Sequence, residues 1–320
     1  MHRILIVDAL NAFFRAYIVN PTLSPNGQPI GGVVGFLKIL QKLCKEVKPD
    51  LVVICWDGAG GSRKRKAMNP NYKEGRAPIR LNRDVRVLSE NDELQNKIWQ
   101  QTRTIEYLNE LPVVQLMYPE IEADDLVSFV CSLPSFKDSQ KVIVSADKDY
   151  IQILDKNVVL MRPIQDEILN VKRVIDEYSI HPTNFALARA IAGDKSDNLD
   201  GVGGVGLNTV AKRFPFLVEN KSFTIDDVLD YSREHGGKIK AYQNVLENAQ
   251  LIRDNYRIMQ LYSPQISIQT KVEIESMFDT FEPQMNLFNF KKMMVQDGFG
   301  ALNFSVLFDI MKSTKRSLNG

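Results

Sequence analysis

Nine carboxylates fall into five short clusters along this chain, and several of the clusters come directly after apolar runs. The clusters are Asp8, Asp57, Glu122/Asp124/Asp125, Asp147/Asp149 and Asp194/Asp197. Oxygen ligands without histidine or cysteine suit Mg²⁺ or Mn²⁺ rather than zinc. Because divalent ions can activate water and stabilise a leaving oxygen, this set of residues indicates a metal site for phosphodiester hydrolysis.

Three of these acids close segments that are apolar at nearly every position, which is typical of buried parallel strands. The segments are residues 3–8, 51–57 and 141–147. In an open α/β sheet the active site lies outside the carboxyl ends of the strands. We therefore expect Asp8, Asp57 and Asp147 to project from one edge of the sheet, where they would repel one another without cations.

The remaining acids lie on other kinds of segment. Residues 122–125 follow an apolar run and open a helical stretch, while Asp194 and Asp197 are one helical turn apart. Taken singly, each acid has an ordinary alternative, since Asp commonly caps a helix after a strand and the Asp194 segment could be a solvated turn. The coincidence of all five clusters favours a metal site.

With 320 residues, 44% of them apolar and 25% charged, the chain has the composition of a soluble globular protein of one large or two modest domains. Its three cysteines and three histidines are too scattered for a disulfide framework, a zinc site or a serine triad. No segment reaches roughly 18 unbroken apolar residues, and charge interrupts the N-terminal segment too early for a secretory signal. We therefore expect a cytoplasmic protein that does not enter membranes.

The net charge of +1 conceals a strongly basic stretch between Arg63 and Arg86. Nine basic residues occur there against two acids, Glu74 and Asp84. A positive surplus of this size beside an acidic pocket indicates that a polyanion is drawn toward bound metal ions. A solvated charge run on a surface loop is the alternative for such a stretch taken alone.

Strands and helices alternate up to about residue 180, which indicates an α/β core, 1–180, with a mostly parallel sheet flanked by helices. The predicted strands are 3–8, 51–57, 113–117, 141–147 and 157–161, and the predicted helices here are 32–47, 92–110 and 123–133. The insertion at about 58–90 is too long for an ordinary connection, and glycines at its base would let it move. Residues 181–270 read as a helical region, and the segment 271–320 carries no chemical signal.

A glycine-rich run, Gly201 to Gly206, does not follow a strand and lacks the Lys-Ser/Thr of a phosphate-binding P-loop. A hairpin turn before a helix at about 208–213 is the better interpretation. Unpaired amides at the start of that helix could hold a backbone phosphate without reading sequence. A plain tight turn is the alternative.

Taken together, these motifs resemble the phage and bacterial 5′-nuclease family, which includes flap endonucleases, the 5′-nuclease domain of bacterial DNA polymerase I and a phage RNase H. The matching pieces are Ile-Val-Asp8-Ala-Leu-Asn-Ala-Phe-Phe-Arg15, Trp-Asp57, Asn-Tyr72-Lys73-Glu-Gly-Arg76, Ile-Glu122-Ala-Asp124-Asp125, Ser-Ala-Asp147-Lys-Asp149-Tyr and Gly-Asp194-Lys-Ser-Asp197-Asn. They occur in the family's order over roughly residues 3 to 215, about two-thirds of the chain. The resemblance implies a PIN-like fold with a basic arch at 58–90 and a helix–three-turn–helix element.

Carried over residue by residue, the resemblance implies that all nine acids bind divalent ions, directly or through water. Lys73 and Arg76 match the basic pair at the base of the arch and would place and neutralise the scissile phosphate. Arg15 matches a substrate-contacting arginine of phage members. Phe14 stands where relatives stack an aromatic side chain on a terminal base, and a core position is its alternative.

The resemblance also implies DNA contacts outside the metal cluster. Residues 198–206 match the helix–three-turn–helix element, which grips the duplex backbone and often holds K⁺ through main-chain carbonyls. Relatives often have Glu-Lys-Thr where this chain has Leu207-Asn208-Thr209, so Lys212 is the candidate substitute for the lost lysine. The other expected DNA-binding residues are Arg63, Lys64, Lys66, Tyr72, Gly201, Gly203, Gly204 and Gly206.

The activity implied is that of a monomeric, structure-specific 5′-nuclease, both 5′→3′ exonuclease and flap endonuclease, which uses two or more Mg²⁺ ions and leaves a 5′-phosphate. Its substrates would be DNA with a 5′ flap, nick or free 5′ end and RNA–DNA hybrids, cut beside separate replication proteins in a bacterium or phage-infected cell. A catalytically silent DNA-binding protein is one alternative. An Asp-dependent phosphohydrolase is another, but it would need Asp-x-Asp where this chain has Asp8-Ala-Leu10.

Overall fold

The computed structural model describes residues 2–76, 79–81, 88–163, 165–299 and 302–319, the last five of them by their backbone alone. Two members of the predicted basic stretch, Arg83 and Arg86, lie outside the described residues, and so does part of the predicted arch. No helix in the described ranges is long and apolar enough to cross a membrane.

The centre of the protein is a sheet of six described strands. They are β1 (Arg3–Asp8), β2 (Leu51–Cys55), β3 (Val114–Leu116), β4 (Gln140–Val144), β5 (Val158–Arg162) and β6 (Glu167–Leu169). In the spatial order β3-β2-β1-β4-β5-β6, the first five strands are parallel and β6 is antiparallel to β5. The mostly parallel sheet confirms the predicted α/β class, and β6 is an addition to the predicted strands.

Helices cover both faces of this sheet. They are α1 (Ala9–Val19), α2 (Gly31–Val47), α3 (Arg63–Met68), α4 (Glu90–Asn109), α5 (Ala123–Ser132), α6 (Val171–Tyr178), α7 (Phe185–Ala192), α8 (Leu207–Arg213), α9 (Ile225–His235), α10 (Lys240–Glu247), α11 (Ala249–Met259), α12 (Ile268–Asp279), α13 (Leu287–Gln296) and α14 (Ser305–Asn319). Short 3₁₀ turns, such as Lys148–Ile153, connect several of them.

Each face of the sheet contacts its own apolar layer. Along β1, Ile4 and Ile6 belong to one layer, while Leu5 and Val7 belong to the other. This alternation arises because successive side chains of a strand point to opposite faces. Burial on both faces explains why the strands appear in the sequence as unbroken apolar runs.

The first layer joins the sheet to the helical region beyond residue 180. One continuous cluster contains Ile143 of β4, Val127 of α5, Ile191 of α7 and Ile252 of α11. The predicted boundary near residue 180 therefore separates two kinds of element that share one core.

The second layer joins α1, α2 and α4 to the last two helices. Phe290 of α13 packs edge-on against Tyr107 of α4, with ring centroids 4.9 Å apart. The Thr314 hydroxyl of α14 donates to the Pro49 carbonyl at 3.0 Å. Part of the segment 271–320, for which the sequence offered no role, thus covers one face of the sheet.

The insertion between β2 and α4 begins with close backbone packing at Gly58. A Cβ atom on Gly58 would lie 1.6 Å from the Tyr118 carbonyl oxygen, and the Gly58 amide donates to the Ile121 carbonyl at 2.9 Å. Glycine is required at this position because two backbone segments approach each other closely. Gly58 is therefore held by its packing, and the mobility predicted from the glycines at the base of the insertion stays a prediction.

The predicted elements are present, with shifts of a few residues at their ends. Strands β2 and β4 end at Cys55 and Val144, two and three residues before the predicted ends, because the chain leaves the sheet before it reaches the acids. The helix α1, which starts directly after the first acid, has no separate sequence signal, and the helices after α8 were not resolved by the sequence patterns.

Candidate active site

The acids at the strand ends line one cleft of about 500 Å³. Asp8 ends β1, Asp57 comes two residues after β2, and Asp147 comes three residues after β4. Because β1 pairs in parallel with both β2 and β4, the ends of the three strands lie side by side. The predicted convergence of these acids at one sheet edge is confirmed.

Asp8 is held by hydrogen bonds on both carboxylate oxygens. One oxygen accepts from the Asn11 amide at 3.2 Å and caps α1, and the other accepts from the hydroxyls of Ser145 at 3.0 Å and Tyr150 at 3.2 Å. Burial and the charges of Asp57 and Asp147 raise the pKa of Asp8 to about 7. The carboxylate is oriented in advance, and a nearby cation would keep it ionised.

Asp57 and Asp147 are fixed by backbone amides. Asp57 accepts from the Ala123 amide at 2.7 Å, at the start of α5, and Asp147 accepts from the Asp149 amide at 2.8 Å. Burial raises the pKa of both carboxyl groups above their ordinary value. Both acids therefore cap a helix or turn and also face the cleft, so the capping alternative does not exclude metal binding.

A second group of acids comes from the loops after β4 and α7. Asp149, Asp194 and Asp197 have carboxylate oxygens within 4.8 Å of one another. Arg189 of α7 bridges Asp149, at 2.9 Å, and Asp194, while Arg76 pairs with Asp197. The sequence does not single out Arg189, five residues before Asp194, because no residue pattern shows that its side chain meets both acids.

Arg65 of α3 is a buried cation among the acids at the start of α5. Its guanidinium pairs with Glu122 and lies 3.1 Å from the carboxylates of Asp124 and Asp125, and only 2% of the residue is exposed. Its Nε donates to the Ile258 carbonyl at 3.0 Å, which ties α3 to α11. The sequence does not indicate that Arg65 is a buried cation, because it stands within a run of similar basic residues.

Asp125 does not line the cleft with Glu122 and Asp124. Its buried carboxylate accepts from the Gln265 amide at 2.9 Å and faces Arg65. Burial and the charge of Asp124 raise the pKa of Asp125 to about 6. This placement disfavours the predicted ion contact of Asp125 and makes it a residue that positions Arg65.

Lys73 and Arg76 reach the cleft from the base of the insertion, as the resemblance implies. The Lys73 ammonium pairs with Glu122, and its backbone amide donates to the Asp197 carbonyl at 2.9 Å. Arg76 pairs with Asp197 and is half exposed. Tyr72, in contrast, is buried and its hydroxyl donates to Glu122 at 3.2 Å, so this structure corrects the prediction that it contacts DNA.

The predicted DNA-contacting cations of α3 differ in whether their side chains are bonded to other parts of the protein. Lys64 donates to the Gln265 carbonyl at 2.6 Å, and Arg63 pairs with Glu120 near the surface. Lys66 is exposed. Lys64 is therefore anchored to the helical region, contrary to the expectation of a charge on a mobile segment.

Phe14 and Arg15 of α1 both line the cleft. Phe14 is partly buried and packs edge-on against Phe13, with ring centroids 5.6 Å apart. One end of the Arg15 guanidinium donates to the Pro163 carbonyl at 2.7 Å. Phe14 is thus packed and also lines the cleft, and its stacking on a terminal base stays a prediction.

The glycine-rich turns precede α8, whose start at Leu207 confirms the predicted helix within one residue. Gly203, Gly204 and Gly206 are exposed and a Cβ atom at each would meet open space, although Gly204 has a φ of +73° that favours glycine. Gly201 differs, since a Cβ atom there would lie 2.0 Å from the Ala192 carbonyl oxygen. The exposed glycines and the exposed Lys212 on α8 leave this surface open to a duplex backbone.

Negative charge dominates the site as a whole. The nine acids outnumber the four cations that the described residues place against them, which are Arg65, Lys73, Arg76 and Arg189. Carboxylate oxygens at such density are the ligands that divalent cations prefer, and the basic side chains at the cleft suit a phosphate. The arrangement can therefore bring metal ions and a phosphodiester together.

Comparison with known proteins agrees with this chemistry. A profile for the 5′-3′ exonuclease N-terminal, resolvase-like domain matches residues 3–179. The 5′-3′ exonuclease of Aquifex aeolicus is 31% identical over 212 residues, which are 65% of this chain and 68% of that protein. DNA polymerase I of Caldicellulosiruptor bescii is 28% identical over 220 residues, which are 66% of this chain but only 24% of that protein.

Among solved structures, the bacteriophage T5 flap endonuclease in complex with DNA and metal ions is similar over the whole length of both chains. The TM-score is 0.65 at 16% sequence identity. At this identity the likeness establishes the fold, and it confirms the predicted PIN-like arrangement of a mostly parallel sheet between helices.

Proposed function

We propose a function for this chain from the premise that it belongs to the family of the 5′-3′ exonuclease N-terminal, resolvase-like domain. The chain is a structure-specific 5′-nuclease that hydrolyses phosphodiester bonds at 5′ flaps, nicks and free 5′ ends and leaves a 5′-phosphate. The observation that carries the proposal is the meeting of strand-end acids with Lys73 and Arg76 in one cleft. A relative named a 5′-3′ exonuclease, that of Aquifex aeolicus, supports it.

The acids of the cleft and of its neighbouring group would hold two or more Mg²⁺ ions, with Mn²⁺ as a substitute. Their oxygen-only donor set fits a hard cation, and the raised pKa values of Asp8, Asp57 and Asp147 mark sites where positive charge is needed. When bound, such ions supply Lewis-acid stabilisation and an activated water. Asp8 and Asp57 hold their positions through their hydrogen bonds to α1 and α5.

Lys73 and Arg76 would orient and neutralise the scissile phosphate. Both now pair with acids of the site, Glu122 and Asp197, so each can exchange a carboxylate for a phosphate when metal ions satisfy those acids. Charge placed where negative charge develops lowers the barrier because it requires no reorganisation during the reaction.

The duplex would lie across the glycine turns, with Lys212 replacing the lysine that relatives carry after the second turn. The exposed Gly203, Gly204 and Gly206 allow close approach of a phosphate backbone, and main-chain carbonyls there are candidates for K⁺. Phe14 and Arg15 would meet the substrate within the cleft, and Arg63, Lys64 and Lys66 would border its path. RNA–DNA hybrids fit the same contacts, because none of them reads base identity.

Two other functions explain the site less well. A catalytically silent DNA-binding protein would not need a buried arginine and hydrogen bonds that fix the acids in place. An Asp-dependent phosphohydrolase requires a second Asp two residues after Asp8, where this chain has Leu10.

The decisive test uses 5′-labelled flap, nicked and RNA-primed substrates with Mg²⁺ or excess EDTA. We expect cleavage with Mg²⁺ that leaves a 5′-phosphate, and DNA binding without cleavage in EDTA. Asp147→Ala should abolish cleavage and leave duplex binding nearly intact, because Asp147 faces the cleft and not the glycine turns. Full cleavage in EDTA, or near-normal turnover by Asp147→Ala, would contradict the proposal.

A further inference from the structure

Lys73 lies on a tight turn and has a backbone conformation that is unusual for a lysine. This segment, the Lys73 turn (residues 71–74), is closed by the Glu74 amide, which donates to the Asn71 carbonyl at 2.9 Å. Lys73 is the third residue of the turn and has a φ of +57°. Glycine or asparagine is usual at such a position, because a larger side chain crowds the backbone there. Contacts outside the turn must therefore hold Lys73 in this conformation.

A second closed turn, which carries two of the nine acids, lies against the first. In this Asp194 turn (residues 194–199), the amides of Asp194 and Leu199 each donate to the carbonyl of the other residue at 2.8 Å. The Asp194 carboxylate also accepts from the Ser196 amide at 2.8 Å. Leu199 is buried. Because its two ends are bonded to each other and anchored in the protein, the Asp194 turn can serve as a fixed support.

Two hydrogen bonds join the two turns directly. The Lys73 amide donates to the Asp197 carbonyl at 2.9 Å. The side-chain amide of Asn198 donates to the Asn71 carbonyl, also at 2.9 Å. These bonds hold the two peptide units that precede Lys73, one through its carbonyl and the other through its amide. The conformation of Lys73 therefore depends on the Asp194 turn.

Further contacts make this junction an extended interface. Nε of Arg76, two residues after the Lys73 turn, donates to the Ser196 carbonyl at 3.1 Å. Tyr72 and Leu199 belong to one buried apolar cluster, together with Ile258 of α11. The base of the insertion is thus docked on the segment that carries the second group of acids.

Asn198 is the uncharged side chain that bonds across this junction. Its own φ is +57°, a conformation that asparagine adopts more readily than most residues. The residue is exposed, and its side-chain amide is neither a carboxylate that suits a metal ion nor a cation that suits a phosphate. Its described side-chain bond goes to the Lys73 turn.

We propose that Asn198 is a positioning residue for Lys73. Its side-chain amide holds the Lys73 turn against the Asp194 turn and so places the Lys73 ammonium where the scissile phosphate is neutralised. The inference rests on the proposed function for the role of Lys73. It adds that one uncharged side chain sets the acids of the second group and the phosphate-neutralising cation in register.

The first test is single-turnover cleavage of 5′-labelled flap DNA by Asn198→Gly at saturating enzyme. Glycine retains the positive φ and removes only the side chain. The saturated rate should fall by roughly fivefold or more, as expected for the loss of one hydrogen bond. DNA affinity and the half-saturating Mg²⁺ concentration should stay at parental values, because the Asn198 side chain binds neither.

The matched control is Ser179→Gly. Ser179 follows α6, is exposed and has a φ of +54°, so the same change is made at a similar backbone position away from the site. This variant should cut at the parental rate. Thermal melting of both variants checks that they are folded.

A double-mutant cycle tests whether Asn198 acts through Lys73. In a Lys73→Ala background the side chain that Asn198 positions is gone, so Asn198→Gly should lower the remaining rate by less than about twofold. Two residues with independent effects, or a general loss of structure, would instead give the full reduction in both backgrounds.

Backbone hydrogen exchange in EDTA provides a measurement that needs no activity. Asn198→Gly should accelerate exchange of the Lys73 and Glu74 amides by roughly fivefold or more, because the turn that protects them is released. Ser179→Gly should leave these amides unchanged. If the parent protein cut no substrate, the proposed function would fail, and the exchange rates alone would decide whether Asn198 holds the Lys73 turn in place.

Four results would overturn the inference. They are a parental saturated rate for Asn198→Gly, an equal loss of rate with and without the Lys73 side chain, a raised Mg²⁺ requirement in place of a lowered rate, and unchanged exchange of the Lys73 turn. The third result would show that Asn198 acts on the metal ligands and not on Lys73.

Discussion

At the scale of single residues, Arg65 connects more of the site than any side chain that the sequence identified. It neutralises three acids and reaches the helical region, and it is almost fully buried. A buried ion pair that loses one partner leaves uncompensated charge, which costs about 3–5 kcal/mol.

Arg65→Met should therefore lower the melting temperature in EDTA by several degrees and abolish cleavage in Mg²⁺. Added Mg²⁺ should restore part of the lost stability, because it neutralises the same acids. Thermal melts with and without Mg²⁺ measure this. Lys66→Met, at an exposed position of the same helix, is the matched control and should melt like the parent protein. Equal stability of the two variants would contradict the role given to Arg65.

Lys73 should contribute mainly in the transition state, since it faces the cleft and neutralises developing charge. Lys73→Ala should lower the single-turnover cleavage rate by roughly 10²-fold or more, in the range found when one stabilising donor is removed. Lys66→Ala should instead weaken binding and reduce its salt dependence, as expected of a steering charge. A Lys73 variant that lost affinity but kept its saturated rate would show that Lys73 only steers.

The positions of the acids could be predicted from the sequence because a short side chain at the end of a strand lies where that strand ends. Arg65 and Arg189 could not, because a long side chain is buried or exposed according to elements distant in the sequence. Arg65, for example, bonds to the Ile258 carbonyl, 193 residues away. Tyr72 was misjudged for the same reason, as its burial depends on how the insertion folds onto the acids.

At the scale of elements, the edge formed by the ends of β1, β2 and β4 concentrates like charges, and this should appear as pH-dependent stability. Burial and the charges of Asp57 and Asp147 raise the pKa of Asp8 to about 7 in the folded protein, against 3.8 for an ordinary aspartate. A carboxyl group whose pKa is higher in the folded than in the unfolded protein contributes stability at pH values below its unfolded pKa. That contribution is lost as the pH rises through the folded pKa.

In EDTA the melting temperature should therefore fall between about pH 4 and pH 8, and Mg²⁺ should remove much of the loss at the upper end. Asp8→Asn should be more stable than the parent protein at pH 8 in EDTA, with little difference near pH 4, and it should not cut DNA. Melts of both proteins at these two pH values, with and without EDTA, test this. A parent protein whose stability rose with pH would contradict the assignment.

The parallel strands and the helices between them could be predicted because burial on both faces leaves an apolar run that few other structures produce. Their ends were less certain. Trp56 is still bonded through its amide to the Leu116 carbonyl at 2.8 Å, although β2 has ended, so the apolar pattern continues past the strand. The close packing of Gly58 could not be predicted, because glycine is used both where a chain bends and where two backbones touch, and sequence does not separate the two uses.

At the scale of the whole molecule, the last helices complete a core that begins with the first strand. Phe290 is fully buried against Tyr107, while Phe288, two residues earlier on the same helix, is 81% exposed. The sequence Leu-Phe-Asn-Phe does not indicate which ring is buried, because that depends on how the helix packs against α4.

Phe290→Ala should cost about 3–5 kcal/mol, the range for loss of a buried aromatic ring, and lower the melting temperature accordingly. Phe288→Ala is the matched control and should change stability by less than about 0.5 kcal/mol. Urea unfolding of both variants gives the two free energies. If the exposed ring proved the more costly to remove, the docking of α13 on α4 would be wrong.

The sheet is bounded by its two shortest strands, β3 and β6, each three residues long. An edge strand offers unpaired amides and carbonyls to any other strand, and a long flat edge invites chains to add to one another. Three residues provide too few hydrogen bonds for lasting addition, and the antiparallel turn into β6 interrupts the parallel pattern that another copy would have to continue. The architecture that brings Asp8, Asp57 and Asp147 together at the strand ends thus also protects the edges of the described sheet from the addition of further chains.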